Sequence, residues 1–454
     1  MWVAQACGLL GPWALSSGPF GADGPFPVPL TEGTRSPNAN HAAMQIEITV
    51  GPRKADLTGR DHLALQAAVE AVLALGGGTV RIRPGVYEMG NSLFLRSGVR
   101  IIGSGEDTVL RKTPSAATKL TEDLDWYGTI VPVKDASIFR VGGGLLLRGK
   151  SPHDGREQFV RRTVVAINGN DVHLDRDPRS NFWVAPSVAP PEGAPPFAGA
   201  QAATLYPVIT GEHVSDVVIE NLTIDGNRAE NENLNGNYGG GIFIQDCERI
   251  RVADVTSRDN NGDGVSWQVC HDVTIEGCRL LNNSDLGLHP GSGSQRPVIR
   301  GNVSRGNDQG LFFCWGVKGG IAEGNTIEDS GKFGMSIGHR DTDNVIRDNV
   351  IRRSGQHGVI FREHVHPARD PHRNVLERNV IEDSGTKGEC VAIEMLGTAE
   401  GVVLRDNVIR DTRRKSKTRQ RIGLRIGPGI RNLTQENCIY ENMEVDVVER
   451  RGPS

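Results

Sequence analysis

The segment GHRDTDN places His339, Arg340, Asp341 and Asp343 within five residues, and FRE brings Arg362 and Glu363 one repeat later. An imidazole beside a carboxylate is suited to general-base work, because the carboxylate orients the ring and raises its basicity. Guanidinium forks such as those of Arg340 and Arg362 match a substrate carboxylate through paired hydrogen bonds. Paired acids do different chemistry: breaking a glycosidic bond with water usually takes two carboxylates. Asp341 with Glu363, or Glu363 with Glu394, are the acid pairs that neighbouring repeats offer. His289, in GLHPGSGS, is a second candidate base beside a Gly/Ser turn that leaves space for a ligand. Trp315 offers an apolar face against which a sugar ring stacks, and Gln245 and Gln268 add uncharged hydrogen-bonding groups. The alternative for these side chains is bracing: a His–Glu or Arg–Asp pair tying two loops, and an indole packed beneath one.

Residues so far apart in sequence need a scaffold that returns at a fixed interval. The segments IENLTI, VADVTS, IEGCRL, IRGNVS, AEGNTI, IRDNVI, LERNVI, LRDNVI and QENCIY supply one. They read as a ladder of Asn221, Asp254, Cys278, Asn302, Asn325, Asn349, Asn379, Asn407 and Asn437, which through its middle recurs every 23 or 24 residues. That interval is too short for a strand with a crossover helix and suits a coil of three short strands. An Asn at an inward bend bonds its side-chain amide to the backbone of the next coil, so the ladder reads as structural. The Asn-x-Ser/Thr matches at Asn221 and Asn302 then fall inside the coil rather than at glycan sites.

A second strand follows each rung, usually after Gly: GIFIQD, GVSWQV, GLHPGS, GLFFCW, GMSIGH, GVIFRE, CVAIEM and GLRIG. Alternation sends Ile242, Val265, Leu288, Leu311, Met335, Val359, Val391 and Leu424 inward. The outward residues form one strip: Phe243, Ser266, His289, Phe312, Ser336 and Ile360, and beside them Gln245, Gln268, Gly291, Cys314, Gly338, Arg362 and Glu394. The corner that follows adds Asp246, Trp315, His339, Arg340, Asp341, Glu363 and His366, with His339 and Glu363 at equivalent places on adjacent coils.

Composition agrees with growth along one axis. There are 57 Gly against 5 Tyr and 6 Trp, and 37% hydrophobic residues, enough for a thin solenoid interior. Lys plus Arg (51) nearly balances Asp plus Glu (55), so no global field points to nucleic acid or an anionic membrane surface. The seven Cys include no CxxC pair. Cys247 and Cys270 begin successive repeats and are expected as two buried free thiols. Asp246, Asp341, Asp343 and Glu363 offer oxygen ligands of the kind Ca2+ takes, but no loop has a recognisable ligand spacing, so no metal ligand is assigned.

Upstream, ADLTGRDHLALQAAVEAVLALGGGTVRIRPGVYEM predicts a helix over about 60–75, with Leu63, Leu65, Val69, Val72 and Leu73 on helical spacing, then a strand. A solenoid must cover its open end, and this helix is placed to do so. Residues 113–211 break the rhythm. There VKDASIFRVGGGLLLRGK and RRTVVAINGNDVHLDR alternate like a small antiparallel unit with a tight NGN turn, followed by a Pro/Ala-rich loop. Residues 1–43 match none of this and make a poor signal peptide; they are expected to be a disordered leader, with Met44 as the biological start. No apolar stretch is long enough to span a bilayer, and the compartment and oligomeric state stay open.

The helix followed by GGGTVRIRPGVY, together with the ladder, resembles the pectin lyase-like superfamily of right-handed parallel β-helix proteins over residues 50–112 and 212–449. The resemblance implies an all-β solenoid with an N-terminal capping helix and first coils over 44–112 and main coils over 212–454, between which 113–211 reads as an inserted β module. It also implies a polysaccharide or oligosaccharide partner. The NTD tripeptide, paired Asp and GHG of polygalacturonases are absent as a set. Asp370, Pro371 and His372 resemble the tripeptide of mannuronan epimerases, but Arg373 stands where those proteins carry an acid. Two functions follow as expectations: a lyase, with His339 or His289 as base and Arg340 and Arg362 on the substrate carboxylate; or a glycoside hydrolase using Asp341, Glu363 and Glu394. A non-catalytic glycan-binding or structural β-helix is the competing class, since a scaffold does not dictate its function.

Overall fold

The computed structural model describes residues 46–185, 197–363, 369–388 and 390–449. The leader expected over 1–43 and His366 lie outside the described residues. Three parallel sheets of 13, 11 and 11 strands, each built from one strand per coil, run the length of the chain. The fold is a right-handed parallel β-helix, all-β apart from its cap. The helix His62–Ala74 supplies that cap: Asp61 Oδ1 accepts the Ala64 N–H at 3.0 Å, and Leu65, Ala68, Val69 and Val72 are buried. Leu63 and Leu73, expected in the buried stripe, are exposed instead, because 3.6 residues per turn carry them past the contact face.

The interior holds stacked files. In the third sheet Ile242, Val265, Leu288, Leu311, Met335 and Val359 pair in register and are all buried. The Asn ladder is likewise inside: Asn302 Nδ2 donates to Asn325 Oδ1, Asn325 to Asn349 and Asn349 to Asn379, each at 2.9 Å. Each amide also reaches a carbonyl of the preceding coil, as Asn349 does to Ala322 O at 2.9 Å. The ladder's outer members are corrected by one residue. Asn221, Asp254 and Asn437 have φ of 58°, 51° and 50° and occupy the left-handed bend just before the rung. The rungs there are Leu222, Val255 and Cys438, which is why the Asn221 sequon is exposed while that of Asn302 is buried. Asn and Asp are the non-glycine residues that best tolerate such a bend. Further ladders that the sequence reading missed join Asn260 to Asn283, Asn283 to Asn307, and Asn344 to Asn374.

The third sheet also departs from the expected register. The strand Cys390–Met395 pairs two residues further along than its first residue suggests, Ile393 with Val359 and Met395 with Phe361. Glu394 therefore aligns with Ile360, not with Arg362.

A six-stranded antiparallel sheet interrupts the coils between Ala117–Lys119 and Gln201–Ala203. Its strands Glu157–Asn168 and Asp171–Leu174 meet at the tight turn of NGN, and Leu145, Leu147, Val164, Val172 and Phe182 form its own core. Arg161 is one of its ties to the solenoid. Arg161 Nη1 donates to Thr210 Oγ1 at 3.3 Å, Nη2 donates to Glu212 Oε1 at 2.8 Å, and the guanidinium lies 4.4 Å from the Phe243 ring centroid. Cys247 and Cys270 are buried free thiols.

Candidate functional site

The outward file of the third sheet runs Thr210, Phe243, Ser266 and His289, and continues through Phe312, Ser336, Ile360, Glu394 and Arg425. An outward file would ordinarily be wet, yet Phe243, Ser266 and Ser336 are fully buried and His289 is 3% exposed. The inserted sheet and the chain around Gly236 cover its first coils: Ser266 Oγ donates to Gly236 O at 2.6 Å, and a Cβ on Gly236 would collide with the Asp263 carboxylate.

His289 sits at the centre of this covered stretch. Its Nδ1 lies 2.7 Å from Asp263 Oδ2 and 3.3 Å from Ser266 Oγ. A carboxylate only accepts, so the Nδ1–H is the donor. Burial pushes the imidazole pKa down, but the Asp263 charge and hydrogen bond, with Cys314 adding to them, outweigh it and raise the value to about 10. The pair thus favours the charged ring, and its Nε2 is buried without a hydrogen-bond partner. Gln268 stands beside it, donating to Ser266 Oγ at 3.1 Å with its own Oε1 unpartnered; the amide lies over Gly291, where a Cβ would strike it. Gln245, half-buried, donates to Asp246 Oδ2 at 3.0 Å.

One coil on, the Phe312 ring meets His289 edge-on at 5.6 Å and carries the Arg362 guanidinium 4.2 Å above its centroid. Arg362 Nη1 donates to Ser336 Oγ at 2.6 Å and Nη2 to Phe313 O at 2.7 Å, so it is fixed in the wall rather than swinging free as a carboxylate clamp. Cys314 lies close enough to act on the charge of both His289 and Arg362.

At the corner, Trp315 stacks on His339 with ring centroids 4.3 Å apart and planes within 13°, and Arg369 stands 5.6 Å from the indole centroid. One indole face is therefore taken by an imidazole. His339 does not meet Glu363 through any hydrogen bond or ion pair among the described residues. Burial, then Arg362, Arg369 and Arg340, lowers its pKa to about 4, the reverse of the raised basicity expected. Glu363 and Arg340 are exposed.

Two carboxylates of the expected acid pairs, Asp341 and Glu394, have other partners. Asp341 is wholly buried: Oδ1 accepts the N–H groups of Gly316 and Val317 at 3.0 Å each, and Oδ2 accepts that of Gly338 at 2.8 Å. Burial pushes its carboxyl up to about 6, against Arg362 and these amides, which favour the charge. Glu394, placed one file over by the register of its strand, accepts Arg425 Nη1 at 2.7 Å and is 2% exposed. The tripeptide at Asp370 leads out of the strip, with His372 Nδ1 accepting the Glu400 N–H at 3.1 Å, and Arg373 pairs with Asp343 at 2.7 Å. Among the described residues no group of three or more His, Cys, Asp or Glu could hold a metal ion, and no helix is long and apolar enough to cross a membrane.

Sequence reasoning had not singled out Asp263, which belongs to the turn before the strand rather than to the alternating strip. Its one signal was an Asp between two glycines, in GDG, where the backbone comes close to another chain segment.

Residues 208–289 and 240–409 match the family model of the right handed beta helix region. Over 183 residues the chain is 24% identical to the mannuronan C5-epimerase AlgE5 of Azotobacter vinelandii; the match covers 39% of this chain and 16% of that protein. Among solved structures, the A-module of the Azotobacter vinelandii mannuronan C-5 epimerase AlgE4 superposes with a TM-score of 0.52 at 13% identity, covering 86% of this chain and 96% of that one. A hyperthermoactive exopolygalacturonase from Thermotoga maritima gives 0.50 at 10% identity, covering 86% and 89%. Likeness at these identities is likeness of fold.

Proposed function

We propose that this chain, a right-handed parallel β-helix with the architecture of the pectin lyase-like superfamily, acts on an acidic polysaccharide laid along the outer face of its third sheet. The reaction would be proton transfer beside a uronate carboxylate. The observation that carries this reading is the Asp263–His289 pair, a buried imidazolium with Nε2 uncommitted, on the face that also presents Arg362. The names of the similar proteins, two epimerases of mannuronan and an exopolygalacturonase, support a uronate substrate.

The two imidazoles of the strip are driven apart, His289 to about 10 and His339 to about 4, and such separated pairs mark acid and base roles. In an elimination, neutral His339 takes the proton on the carbon bearing the carboxylate. The electron pair left behind forms a carbon–carbon double bond as the glycosidic C–O bond breaks, and His289, closed off in the free chain, protonates the departing oxygen once the chain covering it gives way to the sugar. A uronate anion entering among Arg362, Arg369 and Arg340 offsets the field that holds His339 down and so strengthens the base as substrate arrives. Hydrolysis finds less support, because Asp341 and Glu394 are committed to backbone amides and to Arg425.

Incubation with a panel of uronans decides the class. Unsaturated ultraviolet-absorbing ends are expected, abolished by His289→Ala. New reducing ends without unsaturation would replace the reading with hydrolysis, inversion of the sugar without cleavage would replace elimination with epimerisation, and affinity without any turnover would leave a binding protein.

A further inference from the structure

Where the inserted sheet lies over the third sheet, Phe159, Arg161, Arg162, Tyr238, Phe243 and Gln245 line a cleft of about 240 Å³. Phe243 lies two coils from His289 in the same outward file, about 10 Å at the usual strand spacing, a separation that two linked sugars span. The cleft thus lies over the same outward file as His289 but outside the groups assigned to proton transfer.

Its charge is unbalanced in a particular way. Glu212 is shared by two guanidiniums, accepting Arg161 Nη2 at 2.8 Å and standing 3.8 Å from Arg176 Nη2. Arg162 has no carboxylate within ion-pair distance among the described residues. Its Nε donates to Asp177 O at 2.9 Å, Nη2 donates to the same carbonyl at 2.5 Å, and Nη1 donates to Arg161 O at 2.6 Å. Asp175 and Asp177 also act on this cluster; Asp175 is occupied by the Thr163 N–H at 2.8 Å and Asp177 by Arg179 at 2.9 Å. Burial disfavours the charge on Arg161 and Arg162, and neighbouring arginines add to that effect. An incoming anion would relieve both penalties. The Phe159 and Tyr238 rings, tilted together at 4.5 Å between centroids, form an apolar wall of the kind that packs on a sugar face.

We infer that this cleft is a uronate subsite, in which the inserted sheet supplies the guanidiniums that receive the carboxylate of a sugar two units from the one at His289. The inference rests on the reading that the third sheet takes an acidic saccharide, and it gives the insert a function as one wall of the binding surface. A neutral chain would gain nothing from these guanidiniums.

The test uses calorimetry on the full chain with oligogalacturonate and oligomannuronate, each as the free acid and as the full methyl ester. At least one free acid is expected to bind about tenfold or more tighter than its ester. Glu212→Gln removes the competing charge and keeps a hydrogen-bond acceptor, so it is expected to tighten binding several-fold. Arg176→Gln, on an exposed side chain, is expected to weaken it several-fold. His289→Ala is expected to abolish turnover and leave affinity unchanged. Equal affinity for acid and ester, no binding of either acid, or indifference to both Glu212→Gln and Arg176→Gln overturns the subsite. Should turnover occur while Kd and KM ignore both variants, the subsite falls and the proton-transfer reading stands. Should binding respond as expected while no uronan yields product, the reading falls and the subsite stands.

Discussion

Asp263 Oδ2 and His289 Nδ1 lie 2.7 Å apart in surroundings almost closed to solvent, with side-chain exposures of 1% and 4%. The pair therefore links charge to stability. The folded-state pKa of His289, about 10, is above its ordinary 6.5, so its contribution is complete below pH 6.5 and is lost as pH rises through 10. Asp263→Asn should flatten this alkaline decline and lower stability at neutral pH. Urea unfolding midpoints across that range measure both, and an unchanged alkaline slope would show that the carboxylate does not hold the proton on His289.

At the corner, Asp341 and Glu363 are predicted to behave oppositely. Asp341→Ala strands three backbone N–H groups and the buried Arg362 guanidinium, and should cost about 3–5 kcal/mol. Glu363→Ala, at an exposed position, should stay within about 0.5 kcal/mol. Denaturant unfolding with turnover per folded molecule separates the roles: a stable Asp341→Ala variant that lost turnover would return Asp341 to catalysis.

His339 predicts the acid limb. Its folded-state pKa of about 4 lies below its ordinary 6.5, so stability is present above pH 6.5 and is lost as pH falls toward 4, where the unfolded chain takes the proton first. Relative to the parent, His339→Gln should lose less stability between those values. Matching acid slopes in the two proteins would refute the depressed imidazole.

Much of the scaffold was legible in the sequence because a solenoid repeats one physical problem. The middle rungs, Asn302, Asn325 and Asn349, sit inside as their spacing required, since a buried amide can satisfy itself only against the coils above and below. Where the rung became Leu222, Val255 or Cys438, the neighbouring Asn221, Asp254 and Asn437 imitated it, because the same short polar residues suit both the rung and the left-handed bend beside it.

Glu394 shows a second boundary. Strand alternation has a period of two, so the two-residue offset of Cys390–Met395 against Val359–Phe361 leaves every inward residue inward and is silent in the sequence pattern. Only the paired backbone reveals that Glu394 neighbours Ile360 and Arg425 rather than Glu363.

By itself, then, the sequence determined the coil, its direction of growth, the files of its core and the strip on which His289, Trp315, His339 and Arg362 would lie. All of these follow from local alternation and a recurring interval. Tertiary structure decided which groups on that strip are buried, which are paired and which way their charge is pushed. Charge state depends on burial and on partners brought close from elsewhere: Asp263 from a turn, Arg369 from beyond the strip, Arg161 from the insert. Such through-space terms fall off over a few ångströms, and no spacing along the chain encodes them.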